Sequence, residues 1–458
     1  MRSVSRARAL RQVSPAFLFL ATLAVFLMAL RPASAVEVQR VVSPGGIEAW
    51  LVEDHTLPLL SISLAFEGGS ATDPAGKAGV ANMVSGLLDE GAGDLDSETF
   101  QQKLADLSIE LNFDAGRDGF FGTMRALTRY RDEATDLLRA ALTQPRFDVR
   151  PVERIRGQIL AGMARQANEP RDIAGKAFWQ TVLPGHPYAN PVEGTQESVA
   201  SLTPDDFRKF VADRFGRDTL KVGVAGDITP AELGVLLDRT FGALPAKSAP
   251  IAIPDAEPAA TGRTIVIRQN VPQSTVLFGQ RGIKRDDPDF YAAFVLNHLL
   301  GGGTFSSRLY EEVREKRGLA YGAYSYLIPL DHTALWIGSA ATANPRVGKT
   351  LAVVRNVWTE MRDAPVDEAA LDDAKRNITG SYALRLISSR AIARTLVGLQ
   401  RDNLGIDYLD RRNALIDAVT AADISRVAKR LLEPDSLTVI VVGEPDGVAS
   451  TPATDSRG

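Results

Sequence analysis

Apolar and polar residues alternate along residues 47–54 (IEAWLVED) and 58–69 (PLLSISLAFEGG), and again along 263–270 and 274–282. That period of two predicts antiparallel strands with one face buried. Elsewhere the period lengthens to that of an amphipathic helix, in SETFQQKLADLSI (97–109), RDEATDLLRAALTQ (131–144) and RVGKTLAVVRNVWTEMRDA (346–364). Residues 79–93, GVANMVSGLLDEGAG, place Val80, Met83, Val84, Leu87 and Leu88 at i, i+3, i+4, i+7 and i+8. This predicts a helix with one buried stripe, on whose other face lie Asn82, Ser85, Gly86 and Asp89.

The order of these elements repeats. Residues 202–227 (LTPDDFRKFVADRFGRDTLKVGVAGD) align without a gap to 419–444 (VTAADISRVAKRLLEPDSLTVIVVGE), sharing Thr, Asp, Asp, Leu, Val, Val and Gly. Each reads as a capped helix, a turn, and a strand ending in glycine. A second echo joins SGLLDEG (85–91) to NHLLGGG (297–303). The pattern predicts a tandem duplication of an α+β unit, a sheet with helices over a face. The halves are residues 36–242 and 263–443, joined by the proline- and alanine-rich stretch 243–262, which suits a flexible, extended spacer. The small, polar tail 444–458 has the composition of a disordered segment.

Composition adds the compartment and removes several chemistries. The first residues combine Arg2, Arg6, Arg8 and Arg11 with an apolar run over 16–30 and then Ala33-Ser34-Ala35, the pattern of an export signal cut after Ala35. The run is shorter than the ~20 residues of a spanning helix. A periplasmic protein beginning at Val36, with no membrane segment after signal removal, is expected. Loss of the leader, which carries five arginines and no acid, takes the formal charge from −4 to −9. Nucleic acid and anionic membranes are therefore poor partners. The chain has no cysteine, and the four histidines, His55, His186, His298 and His332, lie too far apart to pair as metal ligands along one helix. No G-x-S-x-G is present either.

GVANMVSGLLDEG resembles the inverted zinc motif, H-x-x-E-H, of the pitrilysin or insulinase family of metallopeptidases (inverzincins), which includes mitochondrial processing peptidase. In that motif two histidines one helical turn apart bind zinc and the glutamate activates the bound water. Here the three positions hold Asn82, Gly86 and, at the base, Ser85. The family's third ligand falls on Gly162 in ERIRGQILAGMARQ (153–166), and a further family acid on Ile155. The resemblance spans nearly all of 37–443, including LPGHPYANPVEGTQESVASLTPDDF at 183–207. It implies a chain that holds no metal of its own.

Residues 300–327, LGGGTFSSRLYEEVREKRGLAYGAYSYL, are similar to the family's second-domain segment. Thr304 or Ser306 can cap a helix that turns Leu309 and Val313 inward, and Gly318 suits its end. Gly301 to Gly303 lack the G-K-[ST] of a phosphate loop and read as a mobile turn. The glycine turn can bring Arg314 and Tyr321 to one end of the unit. By the resemblance, Arg314 would hold substrate backbone carbonyls and the Tyr321 hydroxyl would donate to the oxyanion of the tetrahedral intermediate, in trans to a zinc site on another chain. The plainer alternative is that the pair complements the helix dipole and covers the core. The resemblance implies a homologous partner subunit bearing the zinc motif and the zinc itself, with extended peptides as substrates. A scaffold that kept only the fold, and a module that captures peptides by strand addition, are the two other classes the sequence allows.

Overall fold

The structure, a computed structural model, describes residues 37–451. The expected export signal at 1–35, with its cleavage point, and residues 452–458 lie outside the described residues. From Val38 onward the chain clusters as one unit.

The alternating segments form two mixed sheets. The first contains β1 (Gln39–Val42), β2 (Glu48–Glu53), β3 (Leu59–Glu67), β4 (Glu110–Ala115), β5 (Gly119–Leu127) and β6 (Lys221–Gly226), in the order β1-β2-β6-β3-β5-β4. The second contains β7 (Thr264–Arg268), β8 (Gln273–Arg281), β9 (Ala320–Pro329), β10 (Ala334–Ala343) and β11 (Thr438–Gly443), in the order β7-β11-β8-β10-β9. With β1 set aside, the two orders are the same topology, so the duplication extends to the strand pairing.

The expected antiparallel pairing holds only in part. The last strand of each half inserts between its first two long strands: β6 runs parallel to β2 and antiparallel to β3, and β11 does the same with β7 and β8. Insertion makes β6 and β11 central and buries nearly every residue along them. The shared Thr and Asp of the repeat are capping boxes, Thr203 with Asp206 and Thr420 with Asp423, each starting the helix before the inserted strand. The shared glycine ends that strand at φ 132° (Gly226) and 151° (Gly443), where a side chain would be strained.

Each half also covers the other's sheet. The Pro170–Val182 helix of the first half lays Ala174, Phe178 and Val182 on Leu335, Ile337, Ile440 and Val442 of the second sheet. In return the Ser389–Arg401 helix of the second half packs on β6 and β3. There Gln400 Nε2 donates to Val222 O at 2.8 Å, and Ser389 and Ser61 share a hydrogen bond of 2.9 Å. Glycines permit the close approach: a Cβ on Gly223 would overlap Ala393 O, and one on Gly279 would sit 2.6 Å from the Phe178 ring.

The spacer and tail are less free than their composition suggests. Residues 243–262 contain no helix or strand, but backbone bonds fix them to both halves. Ala249 N donates to Asp213 O (2.7 Å), Ala259 N to Val182 O (2.8 Å) and Ala256 N to His332 O (2.9 Å). Prolines keep the strap extended, while several of its other amides find carbonyls on either side. The first part of the tail lies along the outer edge of β7, where Thr451 N donates to Thr264 O (2.7 Å) and Val266 N to Ser450 Oγ (2.9 Å). The free edge of β7 supplies hydrogen-bonding groups that order this segment.

Candidate functional site

The helix on which the zinc motif falls spans Val80–Ser85, and the stripe Val80, Met83, Val84, Leu87, Leu88 is buried as its spacing requires. Its start is held from a distance. The Asp73 carboxylate accepts from Gly79 N at 2.7 Å and from Ala81 N at 3.1 Å, satisfying amides that a helix leaves free at its N-terminus. Nothing in residues 79–93 signals this cap, because its acid lies outside the helical pattern.

The motif positions present a poor donor set for zinc. Ser85 turns its hydroxyl into its own helix, donating to Asn82 O at 2.8 Å. Beside Gly86 the space where a ligand side chain would begin is tight: a Cβ there would lie 3.2 Å from Ile155 Cγ2. Ile155, on the Val149–Gln166 helix, is itself buried. Gly162, further along that helix, has only Arg165 Nη2 nearby, at 3.9 Å from an added Cβ. An amide, an inward hydroxyl and two glycines do not fit a tetrahedral zinc site. Among the described residues no three His, Cys, Asp or Glu side chains are grouped as a metal would need.

Two acids near this helix are shifted. Burial pushes the Asp73 carboxyl up to about 7 against the pull of its backbone N–H bonds. Burial and then the charge of Glu90 raise Asp89 to about 6. A folded-state pKa raised above the unfolded value means that the folded protein binds more protons between about pH 4 and 7, so Asp73 costs stability as pH rises through that window. Thermal unfolding should therefore show a midpoint that falls from pH 5 to pH 8 less steeply in Asp73→Asn than in the parent. Equal slopes would show that the Asp73 carboxyl does not titrate in this range.

The structure brings Arg314 and Tyr321 together. Ser307, rather than Thr304 or Ser306, is the N-cap; the latter two lie in a 3₁₀ turn before it. The helix runs from Arg308 to Tyr310 and continues as a π-helical turn over Glu311–Glu315. Leu309 and Val313 are fully buried, and Gly318 reverses the chain at φ 58°. β9 follows, with a bulge where Tyr321 and Gly322 together oppose Ala341 of β10. Tyr321 stands 80% exposed, with the Arg314 guanidinium carbon 4.4 Å from its ring centroid. Arg314 also lies 4.9 Å from the Tyr310 ring and donates from Nη1 to the Tyr310 hydroxyl. Tyr310 did not emerge from the motif, although its place four residues before Arg314 marks it as a neighbour. The glycines before this segment are not a loose turn: Gly301 packs so closely on Ser325 of β9 that a Cβ would lie 2.5 Å from its nitrogen.

Comparison with known proteins agrees with this geometry. Residues 49–196 match the family model described as insulinase (peptidase family M16), and residues 201–378 match the one described as peptidase M16 inactive domain. A Helicobacter pylori protein named non-peptidase homolog YmxG is 31% identical over 343 residues, which cover 74% of this chain and 78% of that protein. The chain belongs to the M16 peptidase family. A Mycobacterium leprae M16 relative named as an uncharacterized zinc protease is 29% identical over 88% of this chain and 91% of its own length. The crystal structure of a peptidase M16 inactive domain from Pseudomonas fluorescens superposes with a TM-score of 0.84 at 28% identity, covering 91% of this chain and all of that one. A Helicobacter pylori protease shares the fold, with a TM-score of 0.80 at 20% identity over 89% of this chain and 99% of its own. These matches make the chain an inactive M16 homologue.

Proposed function

We propose that this M16 chain is the zinc-free subunit of a two-chain zinc peptidase in the periplasm, and that it supplies Arg314 and Tyr321 to a zinc site carried by a homologous partner. The observation that carries the reading is an asymmetry. The ligand positions hold Asn82, Gly86 and Gly162 and the base position Ser85, whereas Arg314 and Tyr321 remain in contact at the end of β9, with the Tyr321 ring open to solvent. A phenol at this place can donate to a developing oxyanion, and a guanidinium can hold peptide carbonyls. The partner brings the metal, and the substrate is an extended peptide enclosed between the two chains.

Producing the mature chain alone, and then with a family member from the same genome that has an intact H-x-x-E-H, tests the reading. Alone, the chain should retain no zinc after dialysis and cleave no peptide. The pair should co-purify, hold one zinc, and cleave peptides in a chelator-sensitive way. One equivalent of zinc and peptidase activity in the isolated chain would refute the proposal.

A second reading has its own observation. β9 is an edge strand with Tyr321, Tyr324 and Tyr326 exposed along it, a surface to which an extended peptide can add as a further strand without being cut. Peptide binding by the isolated chain, with no cleavage by any pair, would favour it.

A further inference from the structure

We propose that Tyr310 is a positioning residue that fixes the Arg314 guanidinium through neutral contacts only, so that the charge of Arg314 stays available to carbonyl or carboxylate oxygens of a bound peptide. The proposal rests on the role given above to Arg314. The local sequence makes the arrangement unexpected, since the same turn carries Glu311, Glu312 and Glu315. Yet those acids are engaged elsewhere or stand apart. Glu311 pairs with Arg308 at 3.2 Å and Lys316 at 2.9 Å, and Glu312 with Lys316 at 2.6 Å and with Arg317. Among the described residues Arg314 has no carboxylate partner; it has a phenol oxygen and two rings.

The difference matters physically. A carboxylate would take two guanidinium N–H groups in a bidentate pair and cancel the charge. A phenol oxygen accepts one of the five N–H donors and leaves the charge whole, and contacts with the two rings orient the guanidinium without neutralising it. Tyr310 is suited to hold position because it is only 4% exposed, with Phe305 packed edge-on at 5.1 Å and an interplanar angle of 87°. Tyr321, by contrast, is open to solvent. The guanidinium is thus anchored from the protein side and presented outward.

Chemical modification of the isolated mature chain with phenylglyoxal, mapped by mass spectrometry, tests Tyr310 without any partner or substrate. Tyr310→Phe should raise the modification rate of Arg314 relative to Arg317 on the order of 2- to 10-fold, the factor of one net hydrogen bond. Tyr310→Trp, which keeps a ring but offers no acceptor, should do the same, and thermal unfolding checks that each variant is folded. An unchanged Arg314 rate in both folded variants overturns the proposal. In an active two-chain peptidase, Tyr310→Phe should raise KM about 2- to 10-fold with kcat held, and should add nothing in an Arg314→Ala background. Additive effects there mean that Tyr310 acts apart from Arg314, and overturn it equally. If no pair is active, the modification rates still decide the role of Tyr310, while the reading of the chain as a peptidase subunit fails on its own test.

Discussion

Produced as separate polypeptides, residues 38–262 and 263–458 should each be insoluble or unfolded, and should recover a native circular dichroism spectrum only when co-expressed. The reason is the reciprocal cover. Without the first half, the second sheet exposes Leu335, Ile337, Ile440 and Val442, and without the second half, Phe178 and Val182 lose their seat; all six are at most 2% exposed in the whole chain. Burying one large apolar side chain contributes about 1.5–3 kcal/mol. The six together reach the order of 10 kcal/mol, comparable with the whole stability of a typical domain at about 5–15 kcal/mol. A single substitution should report the same contact. Gly223→Val places a Cβ against Ala393 O and 2.9 Å from Leu396 Cβ, so the crossing helix must move or the sheet must bend. Overpacking of this kind costs about 1–3 kcal/mol, and a clash with backbone belongs at the upper end. Gly157→Ala, on an exposed helix position with no atom within 4 Å of the added Cβ, should instead raise the unfolding midpoint slightly. Two soluble, separately folded halves, or equal effects of the two glycine substitutions, would show that the cross-cover is dispensable.

That reciprocity also marks where a sequence stops informing. Alternation along β2, β3, β7 and β8 located each strand, although β2 and β3 are buried on both faces rather than one. It does not record the neighbour in the sheet, so the insertion of β6 and β11 was not legible. The capping boxes at Thr203 and Thr420 were legible, being local. Likewise Ile392, Leu396 and Leu399 report a buried stripe, but nothing in their spacing says that the sheet they cover belongs to the other half. Asp73 escaped notice because it caps its helix from six residues before Gly79. The strap and tail were read from composition, which captures the absence of helix and strand but not the carbonyls and strand edge that hold them down. Arg314 and Tyr321 were legible as a pair because one tight turn joins them; the vacancy at Gly86 was legible too, though not that Ile155 would crowd the space.

Tyr321→Phe, in a verified complex with a zinc-bearing partner, should lower kcat on the order of 10²- to 10³-fold with little change in KM. A hydroxyl aimed at an oxyanion strengthens its hydrogen bond only as that charge develops, so its loss falls on the transition state and leaves substrate binding nearly as before. The structure makes this substitution a clean one. Tyr321 is 80% exposed and its hydroxyl has no hydrogen-bond partner among the described residues, so removing the oxygen breaks no intrachain bond, and the phenyl ring can still stack on Arg314. The folding stability of the isolated chain should be unchanged. Arg314→Ala should behave differently and raise KM as well, since a contact to substrate carbonyls acts in the ground state and the transition state alike. Arg317 and Tyr324 are the matched controls. Arg317 pairs with Glu312, and Tyr324 lays its ring over Gly322 within its own strand; both are chemically alike to the tested pair but stand off its two positions. Substitutions Arg317→Ala and Tyr324→Phe should alter kcat and KM by small factors only. Should all four variants match the parent in an assembled, active pair, Arg314 and Tyr321 are structural residues at a helix end, and the function of the chain lies in the fold and its free strand edge.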